Sequence, residues 1–319
     1  MDGTSNFYGV HSVTLYVDSV QVFNSTTDKV LPDENRMING FTDYEELTRT
    51  RRLIMRSYKL PGNRLRLLHT NENRGVVTID EERDYHFRYV LEDNFGNRRT
   101  YQFIVKGKRQ DIPEYKPEAN EMLYWNRTNV IQKPGMELVV PRYYVYEDVP
   151  LRTDLRGDSS LIAFDYILDA GRTPIHSYCD LSIGLRHMPV ADTTKYYIVQ
   201  KAGKWRSSMG GKYASGWIKT RVRSLGTFSV DVDTIAPQIT PIGQGGWRTS
   251  RNIRFRIKDM ESGIGSYKVY IDGKFVLFGL KKGILVIQNP EKVKKGVPHK
   301  LEVTVTDQCG NMARKEYKF

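Results

Sequence analysis

The sequence predicts an all-β protein of three consecutive immunoglobulin-like β-sandwich domains, the first of which carries a short helical insertion. Two pairs of similar sequence blocks occur in the same order near the two ends of the chain. Alternating apolar and polar residues flank these blocks, and no long helical period appears between residues 109 and 235. With 319 residues, of which 39% are hydrophobic, the chain is long enough for two or three domains.

The first repeated block is strand-like and ends in an aspartate. Residues 9–18 and residues 263–272 share the pattern Gly, β-branched residue, any residue, Ser, two further residues, apolar residue, Tyr, β-branched residue, Asp. A pattern of this length that is followed both times by the same second block indicates a duplicated domain.

The second repeated block predicts a hairpin. Residues 91–97 and residues 305–311 both lead from strand-like sequence into Asp-x-x-Gly-Asn. The aspartate side chain caps such a turn, and the glycine tolerates the positive φ that the turn requires. In the later copy, alternation directs Leu301, Val303 and Val305 inward. The chain therefore contains two copies of one β-sandwich.

The early copy is longer than the late one. The aspartates of its two blocks are 75 positions apart, against 35 in the late copy, so the early copy holds 40 additional residues. Several apolar residues in this segment have helical spacing: Met37, Ile38, Phe41, Tyr44 and Leu47. Asp33 is the expected N-cap, and Pro61-Gly62 closes the segment. We therefore expect a helical insertion near residues 33–56.

The repeats also set the expected domain boundaries. In the late copy a strand-like run, residues 253–257, precedes the first block, whereas its equivalent in the early copy falls at or before Met1. We therefore expect the first domain, residues 1–108, to lack its first strand and the chain to begin inside a longer protein. Residues 109–235 form a β-sandwich of different topology, and residues 236–319 form the late copy.

The sequence contains no recognisable catalytic motif. Zinc hydrolases set their ligands close together, usually as paired histidines with a carboxylate. The six histidines form neither His-x-His nor His-x-x-x-His nor His-Glu-x-x-His. No nucleophile elbow occurs either. We therefore expect this chain not to be an enzyme and to hold no cofactor.

Two smaller sets of residues allow alternative interpretations. Asp259, Glu261 and Asp307 lie at turns of the last domain, where they offer three oxygens for a calcium ion between domains. Calcium takes six or more oxygens, which favours turn capping instead. Cys179 and Cys309 are too few for a disulfide framework and are expected to be small apolar fillers.

The basic charge is concentrated in one part of the chain. The net charge is +12, and residues 236–319 alone hold 16 Lys and Arg against 7 Asp and Glu. Alternation places two groups of basic residues on strand faces, one of them beginning with a tryptophan. Together they form the candidate ligand-binding face: Trp217, Lys219, Arg221, Arg223, Arg254, Arg256 and Lys258.

Two interpretations of these basic strands remain open. They can attract an anionic polymer, with the tryptophan stacking on a sugar ring. Alternatively, they keep the outer faces of the sandwich solvated and its edges unpaired, which is the more common use of such residues. No recognised nucleic-acid-binding module accompanies the charge, so no nucleic-acid partner is expected. No stretch of eighteen apolar residues occurs, so no transmembrane segment is expected either.

The order of these blocks resembles that of a known family. The chain resembles the C-terminal β-rich region of lysostaphin-type (LytM-like) zinc metallopeptidases of Gram-negative bacteria over essentially its whole length. The resemblance rests on residues 1–6, 9–13, 36–39, 43–44, 51–54, 91–97, 223–228, 233–234 and 262–264.

The resemblance implies a function that the residues themselves do not show. In that family a catalytic domain precedes this region, carries His-x-x-x-Asp and His-x-His zinc motifs, and cleaves peptide cross-links of peptidoglycan. Those motifs are absent here, so zinc would belong only to the upstream domain. The resemblance thus implies a non-catalytic accessory region of a cell-envelope endopeptidase, periplasmic or associated with the outer membrane. Its implied partners are peptidoglycan or another anionic envelope polymer and its own upstream catalytic domain.

Two functions of other classes are alternatives to this accessory role. In the first alternative, the chain is an adhesin or carbohydrate-binding module whose binding platform is the strand with Trp217. In the second, it is a protein-interaction scaffold at the cell surface that pairs through the edges of its sheets.

Overall fold

The computed structural model describes residues 10–114, 116–158 and 160–319 and confirms the all-β fold class. Five antiparallel sheets make up three successive units. The longest helix in the described part of the chain has seven residues, so none of its helices is long or apolar enough to cross a membrane.

The first unit contains one antiparallel sheet of five strands in the order β3-β2-β1-β4-β5. Its strands are β1 (Ser12–Val17), β2 (Val20–Thr26), β3 (Leu68–Thr70), β4 (Asp84–Glu92) and β5 (Arg98–Lys106). The structure differs here from the sandwich that the sequence predicted, because no second sheet covers this one among the described residues. The insertion between β2 and β4 supplies the covering layer instead.

The insertion is helical, as predicted, but it is broken into short pieces. A 3-10 turn (Asn35–Met37) leads into α1 (Ile38–Phe41), and α2 (Tyr44–Thr50) follows after a break at Thr42. The predicted N-cap at Asp33 is wrong. Asp43 caps α2 by accepting a hydrogen bond from the backbone N–H of Glu46 at 3.0 Å.

The second unit is a sandwich of two sheets, with strand orders β13-β12-β16-β10-β9-β6 and β14-β15-β11-β8-β7. Its buried core lies between them and includes Leu138, Leu181 and Phe228. The strands are β6 (Glu121–Leu123), β7 (Asn129–Lys133), β8 (Met136–Val140), β9 (Val149–Arg156), β10 (Asp165–Asp169), β11 (Cys179–Gly184), β12 (Tyr196–Ala202), β13 (Trp205–Ser208), β14 (Lys212–Ala214), β15 (Trp217–Val222) and β16 (Gly226–Val232).

The third unit is a sandwich of two four-stranded sheets, β17-β18-β22-β21 and β20-β19-β23-β24. The short helix α3 (Trp247–Ser250) places the fully buried Trp247 ring in the core against Phe255 and Tyr317. The strands are β17 (Gln238–Ile242), β18 (Arg254–Lys258), β19 (Ile264–Ile271), β20 (Lys274–Phe275), β21 (Phe278–Lys281), β22 (Ile284–Ile287), β23 (Lys300–Asp307) and β24 (Met312–Lys318).

The predicted hairpins are present in both copies and use the same hydrogen bonds. Asp93 joins β4 to β5, and its carboxylate accepts from the backbone N–H groups of Phe95 and Asn97. Asp307 joins β23 to β24 and accepts from Cys309 and Asn311 in the same way. As predicted, Leu301, Val303 and Val305 are buried. The glycines of both turns have φ near +80°.

The first repeated block also has one geometry in both copies, although Gly9 lies outside the described residues. Asp18 and Asp272 end β1 and β19 with φ of 48° and 49°. The Asp18 carboxylate accepts from the backbone N–H of His86, as that of Asp272 does from Lys300. The four strands around these turns have the same spatial order, β2-β1-β4-β5 and β20-β19-β23-β24. The structure thus supports the duplication.

A tyrosine of the second unit completes the core of the first. The Tyr146 side chain is buried with Met37, Phe41, Leu60 and other residues of the insertion. Its hydroxyl donates to the carbonyl oxygen of Arg36 at 2.8 Å. Gly40 lies against its ring, and a Cβ at Gly40 would come within 2.7 Å of the ring. The helical insertion therefore packs around this one side chain.

We predict that Tyr146→Ala loosens the first unit. Removing a buried aromatic ring costs about 3–5 kcal/mol, whereas Tyr146→Phe removes only the hydroxyl contacts, at about 1 kcal/mol. Hydrogen exchange should therefore become much faster at α2 and β1 in Tyr146→Ala than in Tyr146→Phe, with the second-unit strand β11 little affected. Equal protection of α2 in the two variants would contradict this role of the ring.

Candidate functional site

The Trp217 group of predicted site residues lies along β15 on the outer face of the second unit. Lys219 and Arg221 are exposed there, while Ile218 and Val222 point into the core, as the alternation predicted. Trp217 is half-buried. Its Cδ2 atom is 3.7 Å from where a Cβ at Gly184, the residue opposite it on β11, would stand. This is an ordinary van der Waals distance, so the indole lies against β11 without depending on the glycine.

A tyrosine that the sequence analysis missed belongs to this face. The guanidinium carbons of Arg223 and Arg221 lie 4.5 and 5.5 Å from the centre of the Tyr178 ring, which is 45% exposed. Tyr178 directly precedes β11 and is distant from β15 in the sequence, so only the strand pairing identifies it. We call Lys212, Trp217, Lys219, Arg221, Arg223 and Tyr178 the basic face.

The basic face borders an open groove that carries charges of both signs. Lys212 pairs opposite Lys219, and Asp180 pairs opposite Arg221. Glu137 lies on the neighbouring strand β8, where it accepts a hydrogen bond from the amide of Gln132 at 2.9 Å. The groove along these strands has a volume of about 620 Å³. Three of the cations, Lys212, Lys219 and Arg221, line the groove, whereas Arg223 and the two rings lie elsewhere on the basic face. A face with these cations and rings is suited to an anionic ligand with a flat apolar surface.

The remaining predicted residues lie in a different sheet. Arg254, Arg256 and Lys258 are exposed along β18 of the third unit, opposite the buried Phe255 and Ile257. Residues paired directly across from Arg256 are Thr240 and Ile284, so no ring or carboxylate lies opposite it. The structure therefore divides the predicted ligand-binding face into two separate basic surfaces.

Three carboxylates meet where the second and third units join. Carboxylate oxygens lie within 4.8 Å of one another in Asp233, Asp259 and Asp307. In the described part of the chain, no other group of three or more Asp, Glu, His or Cys side chains comes together in this way. Asp233 and Asp307 are buried, and Asn311 donates to both. Sequence analysis missed Asp233 and included Glu261, which instead accepts from the Tyr197 hydroxyl at 3.3 Å.

The hydrogen bonds of these carboxylates support turn capping. Asp259 accepts from the backbone N–H groups of Glu261 and Gly263. Asp233 accepts from the backbone and hydroxyl of Ser262, so it ties the end of the second unit to the third. The same three residues offer one oxygen each to a hard cation, which is three of the six or more oxygens that calcium takes.

Each cysteine has a distinct place in the structure. Cys179 is buried in the core of the second unit, where burial raises its thiol pKa to about 12. Cys309 lies at the junction with Tyr197 and Val199, and its carbonyl accepts from the Lys195 ammonium at 3.0 Å. It is therefore a contact between units rather than a filler within one domain.

The surroundings of Asp307 at the junction raise the pKa of its carboxylate. Its pKa is raised, first by burial and then by the nearby Asp233 and Asp259 carboxylates, against the hydrogen bonds of Asn311. The equivalent Asp93 is exposed to solvent, and its pKa is lowered, chiefly by the hydrogen bond from Asn97. The same turn pattern thus occurs twice in the chain, with its aspartate in opposite electrostatic surroundings in the two copies.

We predict opposite pH dependence for the two aspartates. A raised folded-state pKa means that ionised Asp307 costs stability above that pKa and stops doing so as the pH falls to the unfolded value near 3.8. A lowered pKa means that Asp93 contributes stability at neutral pH and loses this contribution in acid.

The measurement compares free energies of unfolding between pH 4 and pH 7 for Asp307→Asn and between pH 2 and pH 4 for Asp93→Asn, because a lowered pKa places most of the Asp93 effect below the unfolded value near 3.8. Relative to the unchanged protein, Asp307→Asn should gain stability as the pH rises over its interval, whereas Asp93→Asn should lose stability over its own. The sign of each slope is the readout, because the substitutions also alter hydrogen bonds at every pH. Slopes of the same sign would contradict the assignment.

The middle of the chain matches one known family, and solved structures resemble the whole chain weakly. A family model described as Zu5-like domain matches residues 120–233, which correspond to the second unit. No curated protein matches the chain.

Three solved structures illustrate the weak resemblance. A Ca²⁺-stabilised adhesin with which an Antarctic bacterium binds ice shares 10% identity, with 98% of this chain and 90% of that chain covered, at a TM-score of 0.19. The glycoside hydrolase domain of Endo-D from Streptococcus pneumoniae R6 shares 12% identity, with 56% of this chain and 38% of that chain covered, at a TM-score of 0.20. The glucan-binding SGBP-B of Bacteroides ovatus shares 12% identity, with 97% of this chain and 59% of that chain covered, at a TM-score of 0.17. These TM-scores are too low to support an argument about function.

Proposed function

We propose that this chain is a non-catalytic binding module whose basic face holds an anionic polymer of the cell envelope. The observation that carries the proposal is the row of Lys219, Arg221 and Arg223 along the outer face of β15, with the ring of Trp217 at one end and that of Tyr178 at the other. Lys212 lies opposite Lys219, and these two lysines line the open groove together with Arg221. The residues come from the neighbouring strands β14 and β15, the residue that follows β15 and the segment that leads into β11. Their arrangement, rather than the total charge of the chain, supports binding.

Each part of the basic face has a defined role in this proposal. The cations attract the polymer and form charge-assisted hydrogen bonds with its carboxylate or phosphate groups. The indole of Trp217 offers an apolar surface to one sugar ring. Asp180, which lies directly opposite Arg221, and Glu137 limit how much negative charge the groove accepts, because their carboxylates line it and repel anions. A sugar polymer with spaced acidic groups fits better than a densely charged nucleic acid.

A narrower proposal follows from the sequence resemblance to lysostaphin-type metallopeptidases. In it, the polymer is peptidoglycan, whose stem peptides carry carboxylates, and the chain positions or regulates an endopeptidase domain in the envelope. This accessory role and its periplasmic or outer-membrane setting rest on that resemblance alone. The adhesin or carbohydrate-binding alternative uses the same face and differs in the polymer.

We predict that insoluble peptidoglycan sacculi sediment this protein and that the basic face is required. Trp217→Ala should weaken binding about tenfold, the loss of about 1.4 kcal/mol expected for one stacking platform. The double variant Lys219→Ser, Arg221→Ser should weaken it at least as much and reduce its salt dependence. Cosedimentation at several salt concentrations measures both effects.

The matched control is the other basic surface. Arg254→Ser, Arg256→Ser removes the same amount of charge from β18 and should leave cosedimentation nearly unchanged. Trp205→Ala, which removes a tryptophan that is 72% exposed on β13, is the control for the indole. Equal losses in the test and control variants would mean that net charge or surface aromatics alone cause the binding.

We further predict that the isolated chain does not cleave peptidoglycan. Muropeptide release from sacculi with added zinc should equal that of a sample without protein. Turnover that a chelator abolishes would overturn the non-catalytic assignment, even if the binding prediction held.

A further inference from the structure

The strand β5 forms an unusually exposed edge of the first unit. It has nine residues and lies at the end of its sheet, and no strand of the described residues pairs with its outer side. Eight of its residues are exposed, among them Tyr101, Phe103 and Ile104 at 53%, 46% and 51%. A long edge strand with an uncharged middle is a template for pairing with another chain, and proteins normally protect such edges.

The duplicated unit shows what protection looks like in this fold. When the hairpins are aligned at Asp93 and Asp307, β5 corresponds to β24. Four charged residues blunt the edge at β24: Arg314, Lys315, Glu316 and Lys318. The corresponding residues of β5 are uncharged: Thr100, Tyr101, Gln102 and Ile104. The early copy therefore lacks the charges that keep the late copy unpaired.

The backbone groups that face outward on β5 can be assigned. Hydrogen bonds from Gly107 N–H to Arg83 and from Asp93 N–H to Asn97 bracket the β4–β5 ladder. Residues in an antiparallel pair alternate between facing the partner and facing away. Tyr101 and Phe103 thus bond to β4, whereas Thr100, Gln102 and Ile104 direct their N–H and C=O groups to the free edge.

The inner face of the same hairpin is only partly covered. Phe87 stacks on Phe103 with ring centres 5.2 Å apart, and both remain partly accessible. At the corresponding positions of the third unit, Leu301 is fully buried and Tyr317 packs on Trp247. An added strand beside β5 would extend the sheet and place its own inward side chains next to this apolar surface.

The tip of the hairpin shows the same contrast. Phe95 is 91% exposed, whereas Cys309, its equivalent, is 2% exposed because it contacts the second unit. The edge, inner face and tip of one hairpin are therefore all accessible where the duplicate is protected or covered.

Charge distribution identifies the occupant. Arg98 and Arg99 lie at the start of β5, and Lys106 and Lys108 lie at or beyond its end, with uncharged residues between. Antiparallel pairing with a second copy would place these basic ends against each other, which is unfavourable. An extended segment with an uncharged middle and acidic ends is complementary.

We propose that the outer edge of β5 docks one extended segment of a partner protein, uncharged in its middle and acidic at both ends, as a sixth strand of the sheet. Backbone hydrogen bonds supply affinity, and the basic ends select the partner. This site is separate from the basic face, so it does not depend on the proposed function.

The test uses the full chain and a labelled, end-blocked peptide of alternating valine and threonine with two glutamates at each end. Fluorescence anisotropy should show binding to the protein. The triple variant Thr100→Arg, Gln102→Glu, Ile104→Lys installs the β24 residues at the outward positions and should weaken binding at least about tenfold. A peptide with lysines replacing the glutamates should bind at least as weakly. Because β24 carries these residues in the same fold, the variant is expected to fold.

Other results would overturn the proposal. A peptide N-methylated at every residue of its uncharged middle has no N–H group there to donate from either edge, so binding equal to that of the parent peptide would exclude strand addition. Undiminished binding to the triple variant would place the peptide elsewhere. Sedimentation that shows a dimer of the protein, abolished by the triple variant, would identify a second copy as the occupant. Gln102→Pro, which removes one outward donor, should weaken peptide binding while leaving that of sacculi unchanged.

Discussion

The packing of Tyr146 into the first unit is the constraint on which the arrangement of this protein depends. A single five-stranded sheet has one face that must be covered, and here the covering layer is an insertion of short helices rather than a second sheet. Short helices contribute little apolar surface of their own. The ring of Tyr146 fills the space between them, so the first unit depends on the second for part of its core.

The same insertion explains why two copies of one domain differ at their surfaces. In the late copy, the strands β21 and β22 lie between β19 and β23 in the sequence. They belong to the other sheet, which covers Val303 and Val305. In the early copy, the insertion covers the β1–β2 side, where Leu15 and Phe23 are buried, but leaves the β4–β5 side partly open. Duplication preserved the hairpin, and the change of covering layer altered what the hairpin contacts.

The sequence predicted features that local chemistry determines. The Asp-x-x-Gly-Asn turns and the alternation along β15 and β18 follow from a few adjacent residues, and the structure contains them. The N-cap at Asp33 was wrong because the first helical turn begins at Asn35 and the longest helix begins only after Asp43, whose carboxylate caps it. Tyr178, Asp233 and Tyr146 were missed because their partners are distant in sequence, and only the fold brings them together.

The distribution of charge shows why position matters more than amount. Residues 236–319 carry most of the net charge, yet Arg256 of β18 lies across from Thr240 and Ile284, without an aromatic partner opposite it. The second unit is nearly neutral, but its strand pairing places Arg221 and Arg223 around Tyr178 and Lys212 beside Lys219. Isolated cations on a solvated strand gain little from an anion, because water screens them. Cations held beside rings and an open groove present a defined surface, which is why we propose the nearly neutral unit as the binding site.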